Sequence, residues 1–284
     1  MINSPKILRP FVLAKLIFAV SLLSNSSING QVQTRLRDSG KEIASVEQIV
    51  IPGGQADLRT RVVVFQNANC WLDNIDPDLE NFVSVDEVHI VGNMSSELST
   101  FISKFPNLEH VSVEEPPVDI DLEKVLTPLS GSQSLRSLDI SMVEVSYRDC
   151  TFLVEFKDLV ELSCDVTFSS KELVAISEIP NLHSLKIGEV INREIVRPVR
   201  LASLKNLTIM NPSDLGCFDT LTPIATLKIW GSCQENEILK ISRFDSLRSV
   251  DLSVESVEYV KHLSTLRNLE TLKIAIEQKS VSKE

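Results

Sequence analysis

The residues in this chain best suited to chemistry are two of its four histidines, which lie near a glutamate. Glu87, His89 and His110 together offer two imidazoles and one carboxylate, a donor set that Zn²⁺ accepts in proteins and that a metal-dependent hydrolase could use. The sequence has no Gly-x-Ser-x-Gly, His-Glu-x-x-His, phosphate-binding glycine loop or Cys-x-x-Cys. The alternative interpretation is that all three are ordinary polar residues on a solvated surface.

A second group of residues is suited to binding rather than catalysis. Its centre is Trp230, with the unbranched apolar side chain of Met210 expected beside it. An exposed aromatic ring with polar neighbours is a typical anchor for a protein partner. In the alternative, Trp230 folds under the following turn and only packs. The predicted binding residues are Lys186, Thr208, Met210, Thr226, Lys228 and Trp230.

A repeated phrase predicts the elements that must position both groups. It occupies residues 102–108, 176–182 and 241–247 and has the form Ile-Ser-x-apolar-Pro/Asp-Asn/Ser-Leu. The final leucine opens a Leu-x-x-Leu-x-Ile run, whose alternation predicts a strand with one face buried. The opening residue recurs every 20–27 residues, so one structural unit is stacked many times. These register positions are Val85, Leu108, Leu135, Leu159, Leu182, Leu204, Ile224, Leu247 and Leu269.

Segments between the predicted strands have helical spacing. Leu173, Ile176 and Ile179 recur every third residue, and Ser169 with Glu172 has the spacing of a capping box. The unit is therefore predicted to be strand, turn, short helix, turn. A similar spacing precedes the last repeat, at Val257, Val260 and Leu263.

This pattern resembles the leucine-rich-repeat superfamily over residues 82–276. The resemblance implies an α/β solenoid: a right-handed superhelix with a parallel sheet on its concave side and short helices on its convex side. The asparagine or cysteine that the family places after the third core residue of the strand is mostly missing here. We therefore expect the buried side-chain ladder of the turns to be irregular.

Stacking in register also predicts which residues share the outer face of the sheet. In each strand, the residues just before and just after the second core position face outward. Glu87, His89 and His110 should then converge at one end of the sheet. The first column is Glu87, His110, Ser137, Glu161, Ser184, Asn206, Thr226, Ser249 and Thr271, and the second is His89, Ser112, Asp139, Ser163, Lys186, Thr208, Lys228, Asp251 and Lys273.

The two ends of the chain are predicted to lie outside the repeats. Lys6, Arg9 and Lys15 precede an apolar run at 16–23, which predicts a signal peptide at 1–26 and a secreted or periplasmic protein. The alternative is an uncleaved membrane anchor. Residues 31–81 are predicted to form an N-terminal cap that shields the first repeat. Residues 277–284 are predicted to be a disordered tail.

Charge narrows the class of partner. Loss of the leader would take the net charge from −11 to −14, and an acidic protein repels nucleic acid and anionic membranes. We therefore expect a protein or peptide partner, no nucleic acid, and no membrane span after signal removal. No cofactor is predicted.

The five cysteines allow two interpretations. In an oxidising compartment, Cys217 and Cys233 from consecutive repeats are the best candidates for a disulfide. The alternative is that the cysteines are buried thiols, since Cys164 replaces isoleucine at a core position.

The leading hypothesis is a recognition protein, not an enzyme, that binds its partner on the concave sheet. Curved solenoids offer long rigid surfaces whose outward residues vary without disturbing the core. The first alternative is a structural envelope or surface component that assembles through its last strand. The second is a metal-dependent hydrolase that uses Glu87, His89 and His110. The oligomeric state is left open.

Overall fold

The computed structural model describes residues 62–66, 83, 85–117, 119–141, 149–191 and 197–276. The predicted signal peptide (1–26) and tail (277–284) lie outside these residues, as does most of the predicted cap (31–81). Among the helices that the structure describes, none is long and apolar enough to cross a lipid bilayer.

The described strands form one parallel sheet of ten strands, arranged in the order of the sequence. Each strand pairs in parallel with the next one along the chain, as repeat stacking requires. The strands are β1 (Val62–Gln66), β2 (Glu87–Val91), β3 (His110–Glu114), β4 (Ser137–Ser141), β5 (Glu161–Phe168), β6 (Ser184–Val190), β7 (Asn206–Ile209), β8 (Thr226–Cys233), β9 (Ser249–Val254) and β10 (Thr271–Ile276).

Nine of the strands, β2 to β10, follow the nine predicted register positions. The second core residues pair with one another, as Val88 does with Val111 and Val111 with Leu138. The sequence did not assign β1 to the repeats, yet it continues the register, with Val63 opposite Val88. The sheet therefore includes a strand from within the range predicted as the cap.

Short helices connect the strands and cover the apolar face of the sheet. Their inward residues, such as Leu98, Leu126 and Ile176, are fully buried with the strand residues in one continuous core. This is the α/β solenoid that the sequence predicts. The α-helices are α1 (Ser96–Ile102), α2 (Leu122–Leu126), α3 (Ser170–Ile176) and α4 (Glu235–Ile241). The 3-10 helices are Thr127–Gly131, Thr151–Glu155, Pro212–Cys217 and Val257–Thr265.

Two of the predicted helical segments form different kinds of helix. Helix α3 begins with the predicted capping box, in which Ser169 and the buried Glu172 bond each other's backbone and side chain. The segment Val257–Thr265 is instead a 3-10 helix. Its apolar residues recur at every third position, which matches the three residues per turn of a 3-10 helix better than the 3.6 of an α-helix.

The repeated Ile-Ser of the sequence phrase forms the end of three α-helices. Ser103, Ser177 and Ser242 are the C-caps of α1, α3 and α4. Each hydroxyl donates to the carbonyl three residues earlier, at 2.6–2.9 Å. The serine thereby gives a hydrogen bond to a carbonyl in the last turn of the helix, where intrahelical partners run out.

The asparagine or serine just before the register leucine joins consecutive repeats. The Asn107 side-chain amide donates to the Val83 carbonyl at 2.6 Å, and the Asn268 amide donates to the Asp245 carbonyl at 2.8 Å. The hydroxyls of Ser203 and Ser246 make equivalent bonds to carbonyls of the preceding repeat. In the copies at 102–108 and 241–247, the phrase therefore both ends a helix and bonds to the preceding repeat, through Asn107 and Ser246.

The family's buried ladder in the turns is irregular, as the sequence predicts. One rung is replaced by the fully buried Asp214, whose carboxylate accepts the Val190 N–H of the preceding repeat at 3.1 Å. Another is a weaker bond from the Leu201 N–H to the buried hydroxyl of Thr222, at 3.4 Å. These residues come from different sequence positions, so the sequence pattern does not mark them.

The last repeat departs from the predicted core. Leu272 is 39% exposed, and Leu269 and Ile274 are only partly buried, although all three were predicted to lie inside. Within the described chain β10 pairs only with β9, so its apolar side chains are covered from one side.

Of the two interpretations of the cysteines, the structure supports that of buried thiols. Cys217 and Cys233 are free and buried, as are Cys150 and Cys164. Burial, and to a lesser extent a hydrogen bond with Cys150, raise the pKa of the Cys164 thiol. Burial, and to a lesser extent the negative charge of Glu237, raise the pKa of the Cys233 thiol to about 12. The thiols of Cys164 and Cys233 therefore stay protonated and act as small core side chains.

Candidate binding surface on the sheet

The outward columns of β2 to β10 form one continuous surface, which we call the polar sheet face. The register is the predicted one, so Glu87 lies beside His110, and Lys186, Thr208 and Lys228 form a row across β6, β7 and β8. Its residues are exposed or half-buried except Ser112, which is 3% exposed. Apart from Ser112, the residues of the polar sheet face are therefore not part of the hydrophobic core.

The first end of the polar sheet face brings together Glu87, His89 and His110, as predicted. The Nε2 atom of His89 lies 2.8 Å from Oε1 of Glu87, and that of His110 lies 4.0 Å from the same oxygen. The two imidazole rings meet edge to face, with centroids 6.0 Å apart. Both histidines thus approach one carboxylate oxygen.

This geometry is that of polar side chains in mutual contact on the surface. Among the residues that the structure describes, no group of three histidines, cysteines or carboxylates is placed to hold a metal ion. The neighbouring acids make their own contacts, since Ser112 donates to Glu114 and Ser141 to Asp139, each at 3.4 Å. Among the described residues, the arrangement therefore supplies no metal-ligand geometry that supports the hydrolase hypothesis.

In the middle of the face, Lys186 is paired with a residue that the sequence did not indicate. Its Nζ lies 2.8 Å from Oδ1 of Asp165, whose side chain is 14% exposed. Asp165 lies on a bulge of β5, where one extra residue stands between the pairs that Cys164 and Thr167 make with β6. Lys186 therefore contributes a neutralised charge to the predicted site. The signals of it in the sequence were Asp165, which is the next outward residue of β5 after Ser163, and Gly188 opposite the bulge.

At the far end, Trp230 is on the surface. It is 44% exposed, and Nζ of Lys228 lies 4.9 Å from the centroid of its ring. The same amine lies 4.0 Å from Asp251 on β9. The interpretation in which Trp230 folds under the next turn is therefore wrong, and the ring is instead held by a cation–π contact.

A second bulge lies next to Trp230. Lys228 pairs with Asp251 and Ser232 with Ser253, so β8 carries two more residues than β9 across this interval. Trp230 lies inside this interval, and its outward direction follows the alternation of β8, in which Leu227 and Ile229 are buried.

The remaining predicted binding residues lie on β8 or on the neighbouring repeat. Thr208 pairs in register with Lys228, Thr226 is exposed at the start of β8, and Met210 is half-buried. Met210 follows Ile209, whose partner Ile229 precedes Trp230. Five of the six predicted residues therefore lie on the neighbouring strands β6, β7 and β8, and Met210 directly follows β7.

Comparison of this chain with known proteins finds similarities of fold to solved structures. No family model matches the sequence, and no curated protein matches it at a significant level. Among solved structures, a leucine-rich-repeat protein of Leptospira interrogans aligns at 20% identity and a TM-score of 0.42, over 71% of this chain and 52% of that one. The mouse RP105/MD-1 complex aligns at 15% identity and 0.49, over 76% and 42%.

An internalin of Listeria monocytogenes aligns at 19% identity and a TM-score of 0.38, over 72% of this chain and 59% of that one. The chain spans about half the length of the solved proteins it matches. The assignment of a leucine-rich-repeat fold rests on the repeat register and the parallel sheet of this chain itself.

Proposed function

We propose that this leucine-rich-repeat chain is a secreted or periplasmic recognition protein that binds a protein or peptide partner on its concave polar sheet face, with Trp230 as the anchor. The observation that carries the proposal is the half-exposed Trp230 ring on a surface that the core does not use. The apolar run and basic residues of the predicted leader support the extracytoplasmic location.

The surroundings of Trp230 suit a mixed polar and apolar contact. A large ring left 44% exposed still has apolar area to bury against a partner. Lys228 restricts the ring through a cation–π contact worth about 0.5–1 kcal/mol at an exposed site, so little side-chain freedom remains to be lost on binding. Thr208 and Thr226 add hydroxyls that donate or accept hydrogen bonds.

Trp230→Ala is expected to abolish capture of the partner while leaving the fold stable. A central aromatic anchor contributes about 2 kcal/mol or more to binding, which is roughly a thirtyfold change in affinity. The ring is outside the core, so the free energy of unfolding should change by less than about 1 kcal/mol. The measurement is affinity capture from secreted and envelope proteins with the wild-type and variant chains as bait, quantified by mass spectrometry.

The matched control is Val174→Ala, which removes another exposed apolar side chain, 50% exposed on α3. A partner of the polar sheet face is retained by this control and lost by Trp230→Ala. If the two baits retain the same proteins, or if Trp230→Ala unfolds the chain, binding at Trp230 is refuted.

One observation favours a second candidate, a structural surface component that assembles through β10. That strand lies at the edge of the described sheet and exposes Leu272 and Ile276, at 39% and 55%. Unpaired edges with apolar side chains add strands from other molecules. In this role the mature chain self-associates as its concentration rises, and Leu272→Lys reduces the association. A single monomeric species in sedimentation equilibrium at every concentration would exclude it.

A further inference from the structure

An open cleft lies at the edge of the sheet where the strands from β6 to β10 begin. Its volume is about 660 Å³, and its lining includes His183, Lys205, Ala225 and Arg248. Each of these four comes directly before the first outward residue of its strand, so they form one column across four consecutive repeats. Lys228 and Trp230 do not line it, so the cleft is a surface distinct from the proposed anchor.

Ala225 accounts for the space in the cleft. Its neighbours in the column, Lys205 and Arg248, have long side chains, whereas alanine ends at Cβ. The walls carry hydroxyls of Ser203 and Ser246, which already donate to carbonyls of the preceding repeats at 2.7 and 2.8 Å. These bonds hold the walls in place. The groups available to a ligand are then the three basic side chains of His183, Lys205 and Arg248.

The charge of the cleft is opposite to that of the protein. The chain has a net charge of −11, yet the residues lining the cleft include a lysine, an arginine and a histidine and no carboxylate. The Lys205 side chain is exposed and has no ion-pair partner in the part of the chain that the structure describes. Arg248 pairs through Nη1 with Glu270 at 3.2 Å, which leaves other guanidinium N–H groups.

His183 also has a nitrogen left for a ligand. Its Nδ1 lies 2.6 Å from the Asn181 carbonyl oxygen, and because a carbonyl only accepts, Nδ1 carries the hydrogen and donates. Nε2 is the nitrogen that remains for a ligand in the cleft, and it donates to a carboxylate when the imidazole ring is protonated.

We propose that this cleft binds an acidic peptide segment in extended conformation, running across the repeats. Neighbouring strands lie about 4.8 Å apart, so the four repeats from His183 to Arg248 span about 14 Å. Alternate side chains of an extended peptide point the same way at about 7 Å intervals. Three alternate carboxylates therefore match the span, with the outer two at His183 and Arg248 and the middle one between Lys205 and the gap above Ala225.

The test uses the full chain and a fluorescein-labelled peptide with glutamate at alternate positions, compared with the same peptide carrying glutamine. Fluorescence anisotropy is expected to show binding of the glutamate peptide alone, weakening as salt is added. Lys205→Glu should reduce the affinity by roughly tenfold or more, because it opposes a carboxylate with a like charge. Ala225→Glu should do the same by filling the gap with a carboxylate.

Three variants separate this site from general effects. Lys104→Glu makes the same change of charge at an exposed residue after α1 and should bind as the wild type does. Lys205→Met keeps most of the side chain, so it should fold normally and still bind more weakly. Trp230→Ala should bind the peptide normally, and this result would hold even if the polar sheet face bound nothing.

Several results would overturn the proposal. Equal binding of the glutamate and glutamine peptides would do so, as would unchanged affinity in Lys205→Glu. Loss of peptide binding in Trp230→Ala equal to that in Lys205→Glu would place the peptide on the polar sheet face instead. Binding of a sulfated oligosaccharide that depends on Lys205, without binding of the acidic peptide, would assign the cleft to an anionic glycan.

Discussion

Phe168→Ala is expected to lower the free energy of unfolding by about 3–5 kcal/mol, the usual cost of removing a buried phenylalanine side chain. Phe168 is the last residue of β5 and is fully buried. It pairs with Val190 of β6 beyond the β5 bulge. Packed interiors close only part of such a cavity, so the loss includes both the transfer of the ring and the space it leaves. Urea unfolding followed by circular dichroism measures the effect.

The control for this substitution is again Val174→Ala, close to Phe168 in the sequence but 50% exposed. It should change the unfolding free energy by less than about 0.5 kcal/mol, since alanine favours the helix and no cavity forms. A loss of under about 1 kcal/mol in Phe168→Ala would mean that the ring is not part of the core at this position.

Gly188→Ala is expected to destabilise the chain by about 2–3 kcal/mol, near the upper end of the usual cost of overpacking. An added Cβ would lie 2.6 Å from the Val166 carbonyl oxygen and 3.0 Å from backbone atoms of Asp165. These atoms belong to the neighbouring strand and cannot rotate away as a side chain would. The strand must shift, and the Lys186–Asp165 ion pair at the bulge shifts with it. Thermal and urea unfolding measure the loss.

Gly131→Ala provides the comparison. It lies at the end of a 3-10 helix with no atom within 4 Å of an added Cβ, and alanine narrows the unfolded ensemble, so it should be neutral or slightly stabilising. Equal effects of the two substitutions would show that contact at the bulge is not the cause. Gly231 at the β8 bulge is crowded in the same way, with an added Cβ at 2.8 Å from the Met210 carbonyl oxygen and from Cδ of Pro212.

Gly188 and Gly231 mark the two places where the strand register changes beside the binding surface. Each lets a strand approach a neighbouring backbone closely at such a place. Asp165, which neutralises Lys186, and Trp230, which lies under Lys228, are next to these bulges. Both face outward because they follow the alternation of β5 and β8.

The sequence by itself determined the repeat, the strand register and the residues that share the polar sheet face. A period of two within each strand, combined with a recurrence of 20–27 residues, is enough to say that Glu87 lies beside His110 and Thr208 beside Lys228. Only the local alternation and the order of the repeats enter that inference. Both are properties that the sequence displays directly.

Only the tertiary structure decided the β5 and β8 bulges, the exposure of Leu272 in β10, the choice between a disulfide and free thiols at Cys217 and Cys233, and the cleft beside Ala225. Each depends on how an irregular turn or an inserted residue packs against neighbouring repeats. Residues that are far apart in sequence determine that packing. Asp214 illustrates the reason: its carboxylate accepts the Val190 N–H 24 residues earlier, and no local pattern marks either residue. The periodicity of a sequence predicts which residues form the strands, but contacts such as this one depend on how the repeats pack against each other.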